Sequence, residues 1–275
     1  MKGAPWESTL MGVVELVARA GAVVRDRYAR RDLAVEYKGP NDPVTEADRA
    51  ANELLCEGLA KLLPGAQVIA EETASEVDDP SRADLTFFVD PLDGTRDFVE
   101  RTGEFSVMVG LVEGAKAVLG VVGDPMRERT FAAAEGVGAF VLPELAWGAR
   151  RAIHVSERRE RRGATLLVSR SRPSPRLARI GASLEMTSLP VGSAGVKGAR
   201  VACGEAEAFV HLGTCGYLWD IAAIDALARS AGGRVTNEHG APIAYRQREL
   251  RRDDGVVLSN GHVHDALLAA IGCDP

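Results

Sequence analysis

The chain has 275 residues, 46% of them apolar and 26% charged, and carries a formal net charge of −6. This composition excludes a disordered protein and allows one large domain or two smaller ones with substantial cores. The negative charge argues against a nucleic-acid polymer as partner, because proteins that follow a phosphate backbone carry a basic stripe. No apolar run approaches the roughly 18 residues that span a bilayer, and the N-terminal residues lack the apolar stretch of a signal peptide. We therefore expect a cytoplasmic protein without a membrane partner.

The first half of the chain, residues 1–150, begins with two amphipathic helices and continues with strands. The second helix has a clear start and end, because Thr45-Glu46-Ala47-Asp48 has the form of a capping box and Pro64-Gly65 stops the run. Apolar segments broken by glycine then indicate an antiparallel meander. In chain order we predict helices over 6–30 and 45–63, strands at 67–70 and 85–89, and meander strands at 105–112, 117–122, 129–134 and 139–142.

The second half, residues 151–275, starts with an arginine-rich stretch that we expect to be a solvated face, and then alternates strands and helices. This order favours an α/β fold, an α+β arrangement of layered sheets and helices, over a helical bundle or an all-β sandwich. We predict strands at 165–169, 186–189, 209–211, 234–235 and 255–258, and helices from 174, over 192–203, over 220–230 and over 264–271.

Acidic residues follow two of the predicted strands at the point where each strand ends. The segment Asp90-Pro91-Leu92-Asp93-Gly94-Thr95 comes directly after strand 85–89, and Glu71-Glu72 comes directly after strand 67–70. Ligand sites in α/β folds gather at strand ends, and repelling carboxylates can share one place when cations neutralise them. Taken alone, the first segment could equally be a surface turn and the second a solvated acidic pair. Their occurrence on neighbouring strands favours a shared metal site.

Two further aspartates have both a structural and a functional interpretation. Asp220 opens a strongly periodic helix, where the helix dipole favours an acidic residue, but its carboxylate could also be presented to a cation. Asp48 is the third helical residue of the capping box and could in addition hold a water beside the metals. The two roles of Asp48 are compatible.

Taken in order, these acidic motifs resemble the signature of the inositol monophosphatase superfamily, which includes inositol monophosphatases, fructose-1,6-bisphosphatases and 3′(2′),5′-bisphosphate nucleotidases. The resemblance spans nearly the whole chain, and four separate motifs in the right order are far more specific than any one of them. It implies an inositol monophosphatase-like αβαβα sandwich in which both halves form one catalytic unit and the first half carries most of the metal ligands. The four motifs are Thr45…Asp48, Glu71-Glu72, Asp90…Thr95 and Trp219-Asp220-Ile221-Ala222-Ala223.

The resemblance also implies a phosphomonoesterase that uses two or three Mg²⁺ ions and is inhibited by Li⁺. In such a site a water activated by metal attacks phosphorus in line with the leaving group. The implied metal ligands are the carboxylates of Glu71, Asp90, Asp93 and Asp220 and the backbone carbonyl of Leu92. The other implied residues are Thr95 and Asp48, which orient the water, Glu72, which supports the ligands, and the amides of Gly94 and Thr95, which receive a phosphate oxygen.

Within the superfamily, the chain is most similar to the bacterial CysQ-type bisphosphate nucleotidases, on the softer evidence of residues 101–105, 168–172 and 192–209. The resemblance places Gly192, Ser193 and Glu205 around the leaving group of the substrate. We expect a small phosphorylated metabolite as substrate, first 3′-phosphoadenosine 5′-phosphate, which would be converted to AMP, and second inositol 1-phosphate. A homodimer is a further expectation of the resemblance.

The chain departs from its relatives in the segment just before the Trp219-Asp220 motif. His211 stands where the inositol phosphatases tend to have an acidic residue and the nucleotidases often have an arginine, so it either contacts the substrate or packs. The loop of residues 212–219 is longer than the nucleotidase pattern. We expect His262 and His264, two residues apart, to lie on the surface. This part of the chain therefore decides which substrate is taken.

Three other functions fit the sequence less well. A haloacid-dehalogenase-type phosphatase requires D-x-D, whereas two residues separate Asp90 from Asp93. A dinucleotide-binding oxidoreductase requires G-x-G-x-x-G between a strand and a helix, whereas the segment at Gly136 and Gly138 lacks the third glycine and lies among strands. A nonenzymatic metal-binding regulatory protein would not need the water-orienting pair of Thr95 and Asp48. These observations favour the metal-dependent phosphatase.

Overall fold

The structure is a computed structural model that describes residues 5–30, 35–39, 42–76, 83–143 and 147–273. Two long helices open the described chain, and the second starts as its sequence predicts. Thr45 caps it: the threonine Oγ1 accepts a hydrogen bond from the Ala47 amide at 3.1 Å, and Asp48 accepts one from the Thr45 amide at 2.8 Å. The elements are helix α1 (Glu7–Ala29), strands β1 (Val35–Gly39) and β2 (Asp42–Thr45), which pair with each other, and helix α2 (Glu46–Leu62).

A seven-stranded sheet follows. Its first two strands are parallel, and every later pair is antiparallel, which confirms the predicted meander. A five-residue helix, α3 (Thr95–Val99), interrupts the chain between the second and third strands. In spatial and chain order the strands are β3 (Gln67–Ala70), β4 (Leu85–Asp93), β5 (Ser106–Glu113), β6 (Lys116–Asp124), β7 (Arg129–Ala134), β8 (Gly138–Pro143) and β9 (Arg151–Ala152).

The second half builds a five-stranded mixed sheet, with a short ribbon beside it. The predicted alternation of strands and helices is confirmed, with boundaries displaced by one or two residues at most elements. The elements are β10 (Thr165–Ser169), α4 (Pro175–Ser183), β11 (Thr187–Val191), α5 (Ala194–Ala202), β12 (Ala208–His211), β13 (Gly216–Tyr217), α6 (Ala222–Ser230), β14 (Arg234–Thr236), β15 (Arg251–Arg252), β16 (Val256–Ser259) and α7 (His264–Cys273). The sheet order is β11-β10-β12-β16-β14, and β13 pairs with β15.

Apolar side chains stack these elements into five layers. Helices α1 and α2 pack on one face of the large sheet, and α5 and α6 cover its other face. The smaller sheet lies on α5 and α6, and α4 and α7 close its far side. This is the αβαβα sandwich that the resemblance implies. Among the described residues, no helix is long and apolar enough to cross a membrane.

Close backbone contact brings the second half of the chain onto the large sheet. A Cβ at Gly120 would stand 2.1 Å from the Ala223 carbonyl oxygen, and one at Gly110 would stand 2.6 Å from Ala222 Cβ. Only glycine on β5 and β6 therefore lets α6 lie this close. Since Asp220 directly precedes α6, this contact carries its carboxylate to the large sheet, near the end of β4.

One surface prediction is wrong. His264 is fully buried, whereas it was expected on the surface. Its Nε2 lies 3.0 Å from Thr236 Oγ1 and its Nδ1 lies 2.9 Å from Ser259 Oγ. The two hydroxyls satisfy both ring nitrogens, so the imidazole can occupy the interior, where burial lowers its pKa to about 4.

Candidate active site

A bulge in β4 brings Asp90 and Asp93 to one place. Residues three apart in a regular strand point to opposite faces of the sheet. Here the pairing with β5 shifts register between Asp90 and Asp93, so Pro91 and Leu92 together stand opposite one residue of β5, and this single extra residue breaks the alternation. The sequence predicted that the strand ends at residue 89, but it continues through the acidic motif to Asp93. Proline is tolerated there because β3 pairs with β4 only as far as Val89.

The carboxylates of Asp90, Asp93 and Asp220 form a cluster in which one oxygen from each lies within 4.8 Å of the others. Asp93 is held through Oδ2, which accepts hydrogen bonds from Ser106 Oγ at 3.0 Å, from the Gly195 amide at 2.7 Å and from Ser193 Oγ. Asp220 is held in the same way, because its Oδ2 accepts from the Tyr217 amide at 2.6 Å. The sequence motifs thus meet, and their carboxylates are fixed before any ligand binds.

The electrostatics of the cluster fit a bound cation. Burial and the charges of Glu71, Asp93 and Asp220 raise the pKa of Asp90 well above its usual range. Burial and the charges of Asp93 and Glu71 likewise raise the pKa of Asp220. Positive charge placed among them would favour the ionised forms of Asp90 and Asp220. Clustered carboxylate oxygens are the ligands that hard divalent cations prefer, so the residues present fit a metal centre.

Glu71 and Leu92 line the cleft beside the three aspartates, but Glu71 does not belong to the group of carboxylates that lie within 4.8 Å of one another. Glu71 follows β3 directly, in a 3-10 turn over Glu71–Glu76, and lines the same cleft as the three aspartates. The Leu92 carbonyl accepts a hydrogen bond from Thr95 Oγ1 at 3.0 Å, while the Leu92 side chain is buried in the core. Their roles as ligands stay predictions.

Asp48 serves the capping box and also contacts Thr95. Its Oδ2 accepts hydrogen bonds from the amide and the hydroxyl of Thr45, the latter at 2.6 Å, and its Oδ1 lies 3.2 Å from Thr95 Oγ1. Burial raises the pKa of Asp48 to about 6, aided by the charge of Glu72, while the bonds from Thr45 oppose the shift. Both interpretations of Asp48 therefore have a geometric basis.

The cluster opens into a cleft of about 490 Å³ that also contains cationic side chains. Lys197, on α5, is buried, and its Nζ donates to the carbonyls of Val191 at 3.2 Å, Gly192 at 3.1 Å and Ser193 at 2.7 Å. Burial lowers the pKa of Lys197 to about 8, against the opposing effect of the nearby carboxylates. Arg172 lines the same cleft and is exposed.

His211 lines the cleft at the end of β12 and is half-buried. Burial and the charges of Arg172 and Lys197 lower the pKa of His211 to about 4. The imidazole is therefore neutral at physiological pH, so it can exchange hydrogen bonds with a substrate but adds no charge. Whether His211 contacts the substrate stays a prediction.

The three predicted contacts to the leaving group have different surroundings. Ser193 lines the cleft, caps α5 and holds Asp93. Gly192 uses its amide to donate to Glu104 at 2.7 Å and its carbonyl to accept from Lys197, and a Cβ there would stand 2.4 Å from the Asp97 carboxyl carbon. Its main-chain polar atoms are thus already bonded within the protein.

Glu205 does not line the cleft. Its carboxylate pairs with Arg129 at 3.1 Å and with Arg200 at 3.9 Å. The sequence placed Glu205 near the leaving group because it follows a glycine-rich helix, and neither arginine partner stands out in the sequence. Its substrate role stays a prediction.

Sequence reasoning missed Lys197 and Tyr217 as residues of the cleft. Lys197 occurs in a helix of small residues, where a single lysine is typical of a solvated face. The signal that could have revealed it is its position five residues after Gly192, within the segment already assigned to the leaving group. Tyr217 lies in the loop noted for its unusual length.

Comparison with known proteins agrees with this geometry. A family model described as the inositol monophosphatase family matches residues 6–273. The chain belongs to this family. It is 34% identical over 253 residues to the 3′(2′),5′-bisphosphate nucleotidase CysQ of Escherichia coli strain K12, which covers 90% of this chain and 98% of that protein.

Solved structures of family members have the same fold. An inositol monophosphatase from Anabaena superposes with a TM-score of 0.80 at 25% identity and covers 99% of this chain and 98% of its own. CysQ from Bacteroides thetaiotaomicron superposes with a TM-score of 0.78 at 26% identity and covers 93% of this chain and 98% of its own. The chain is therefore a phosphoric monoester hydrolase, and its carboxylate cluster is the candidate metal centre.

Proposed function

We propose that the protein is a Mg²⁺-dependent, Li⁺-sensitive 3′(2′),5′-bisphosphate nucleotidase that converts 3′-phosphoadenosine 5′-phosphate to AMP. The observation that carries this proposal is the joint presence, in one cleft, of the carboxylate cluster and of the cations Lys197 and Arg172. Relatives named CysQ and described as bisphosphate nucleotidases support it.

The two cations favour a substrate with a second phosphate. Metals at the carboxylate cluster would neutralise the phosphate that is cleaved, so the exposed Arg172 is available to a phosphate that stays on the product. Lys197 donates its three N–H groups to main-chain carbonyls, so it adds positive charge to the cleft without a direct bond to that phosphate. Its pKa of about 8 keeps most of this charge at neutral pH. Inositol 1-phosphate has a single phosphate and neutral hydroxyls, and would leave Arg172 without an anionic group of the substrate to bind. It is the second candidate substrate.

The metal would be held by Glu71, Asp90, Asp93, Asp220 and the carbonyl of Leu92. An all-oxygen set of this kind suits Mg²⁺, and we propose two or three ions. Bound there, Mg²⁺ supplies positive charge to the phosphate oxygens and lowers the pKa of a water near phosphorus.

The chain's own residues then position the reactants. Thr95 Oγ1 has one hydrogen, with the Leu92 carbonyl and Asp48 Oδ1 both within reach; when it donates to Asp48 Oδ1, the oxygen can accept from a water, and Thr45 prevents the Asp48 carboxylate from turning away. The charge of Glu72 raises the pKa of Asp48, and Glu72 would support the metal ligands without binding the metal itself. Helix α3 begins at Thr95, with Gly94 in the left-handed conformation at φ 91°, which agrees with the role proposed for the amides of Gly94 and Thr95 at a phosphate oxygen.

Phosphate release from a panel of substrates tests the proposal. The panel contains 3′-phosphoadenosine 5′-phosphate, inositol 1-phosphate, fructose 1,6-bisphosphate and histidinol phosphate, each assayed with Mg²⁺, without Mg²⁺, and with Mg²⁺ plus Li⁺. We expect the highest kcat/KM for the nucleotide, dependence on Mg²⁺, and inhibition by Li⁺. Preference for inositol 1-phosphate would reject the nucleotidase assignment. Cytoplasmic location and a homodimer stay predictions.

A further inference from the structure

Two aromatic rings are stacked in the wall of the cleft. The rings of Tyr217 and Trp219 are nearly parallel, with an interplanar angle of 9° and centroids 4.4 Å apart. Both residues line the cleft that contains the carboxylate cluster. Trp219 is 5% exposed and belongs to the core, whereas Tyr217 is 41% exposed. Since Trp219 covers one face of the tyrosine ring, the exposed face is the opposite one.

The tyrosine is tied to the metal site through its main chain. Its amide donates the 2.6 Å hydrogen bond to Asp220 Oδ2, and β13, which contains it, pairs with β15. The preceding residue, Gly216, has φ 94°, and a Cβ there would stand 2.3 Å from Asp220 Oδ2. Glycine at 216 therefore lets the loop lie against the Asp220 carboxylate, and the main-chain bond from Tyr217 fixes the position of the exposed ring relative to the carboxylate cluster.

We propose that the exposed face of Tyr217 is the platform on which the base of a nucleotide substrate stacks. This inference rests on the proposed function and adds to it a residue that selects the leaving group. A planar base has a π-face that an aromatic ring can stack on, whereas a puckered cyclitol has polar edges and gains little from the same surface. Trp219 stacks on the other face of the tyrosine ring and holds it in place, so little conformational entropy of the ring is lost when the base binds.

Alanine at Tyr217 tests the platform, with phenylalanine as the matched control. The nucleotide 3′-phosphoadenosine 5′-phosphate is compared with a base-free analogue, methyl ribofuranoside 3,5-bisphosphate, under saturating Mg²⁺. The readout is the ratio of the two kcat/KM values, because this ratio isolates the contribution of the base. Base stacking on an aromatic side chain corresponds to roughly 5- to 150-fold in affinity. We expect Tyr217→Ala to lower the ratio about tenfold relative to the wild type, and Tyr217→Phe to keep the wild-type ratio.

A second measurement separates a lost platform from a disturbed metal site. The bond to Asp220 comes from the main chain of residue 217, so Tyr217→Ala keeps it, and we expect the Mg²⁺-induced rise in melting temperature to match the wild type. A ratio unchanged by Tyr217→Ala, in a wild type that hydrolyses both bisphosphates, would overturn the platform alone. Equal loss of activity on both substrates would overturn it as well. A wild type that hydrolyses neither bisphosphate would overturn the proposed function and the platform with it.

Discussion

Replacing Asp93 by asparagine should separate the two effects of the carboxylate cluster. Asp93 Oδ2 accepts from two hydroxyls and from the Gly195 amide, so the asparagine oxygen must take this position to satisfy the same donors. Its NH₂ group then faces Asp90 and Asp220, and presents hydrogens to the place where a cation would bind. The variant should therefore lose metal affinity, while the fold without metal loses one repelling charge.

The two effects have opposite signs and measurable sizes. At an effective dielectric constant of 20, two charges 4.8 Å apart repel by about 3.5 kcal/mol, and because the carboxylate oxygens lie within that distance, this is the smallest repulsion for a fully ionised pair in the metal-free fold. A ligand at about 100 times its Kd stabilises a protein by about 2.7 kcal/mol. For a domain of this size, that corresponds to a rise in melting temperature of roughly 5–10 °C. Asp93→Asn should lack this rise and lose at least about 100-fold in kcat, or about 2.7 kcal/mol of barrier.

Thermal unfolding with a chelator and with Mg²⁺, combined with phosphate release, measures both effects. In the chelator, we expect Asp93→Asn to melt at or above the wild-type temperature, and in Mg²⁺ below it. Asp97→Asn is the matched control, because Asp97 is a buried carboxylate of the same cleft that bonds to Thr102 at 2.8 Å and lies outside the cluster. It should keep the full Mg²⁺ effect. A wild-type Mg²⁺ shift in Asp93→Asn would refute the assignment of the cluster as a metal site.

Three further predictions follow from single contacts. Leu92→Ala should cost about 2–5 kcal/mol in urea unfolding, because its side chain is buried, yet keep the Mg²⁺-induced rise in melting temperature, since only its carbonyl is a predicted ligand. Glu205→Gln should change stability by less than about 1 kcal/mol and leave KM for the nucleotide at the wild-type value, because Glu205 forms partly exposed ion pairs outside the cleft; a several-fold rise in KM would restore its substrate role. The pKa of His264 falls from 6.5 to about 4 on folding, so the unfolded chain binds its proton first and the contribution of His264 to stability declines as the pH falls from about 6.5 to 4. Relative to His264→Gln, the wild type should lose about 1–2 kcal/mol between pH 7.5 and 5 in urea unfolding, and an equal pH dependence in the two proteins would contradict this.

The acidic motifs were predictable because their signals are local. The capping box of α2 needs only Thr45 and Asp48, and each acidic segment directly follows an apolar run that forms a strand. The convergence of Asp90 with Asp93 was harder to predict, because it requires a bulge that arises from the pairing of β4 with β5. The sequence therefore indicated which carboxylates meet, and the structure was needed to show how they meet.

Contacts between distant parts of the chain account for what the sequence left open. Glu205 pairs with Arg129, and His264 is buried against Thr236 and Ser259, partners that no short motif identifies. Lys197 owes its place in the cleft to the carbonyls that precede α5, whose conformation is set by packing. Substrate preference depends on such contacts more than the metal centre does, because it uses side chains from several elements.

The most direct test of the account is the identity of the product formed from 3′-phosphoadenosine 5′-phosphate by metal-stripped protein before and after Mg²⁺ is restored. Chromatographic separation distinguishes AMP, which keeps the 5′-phosphate, from adenosine 3′-phosphate. A metal centre at Asp90, Asp93 and Asp220, with Arg172 binding the second phosphate and Lys197 adding positive charge to the cleft, predicts AMP and inorganic phosphate only after Mg²⁺ is added. Adenosine 3′-phosphate as the product, or equal turnover without the metal, would contradict the account.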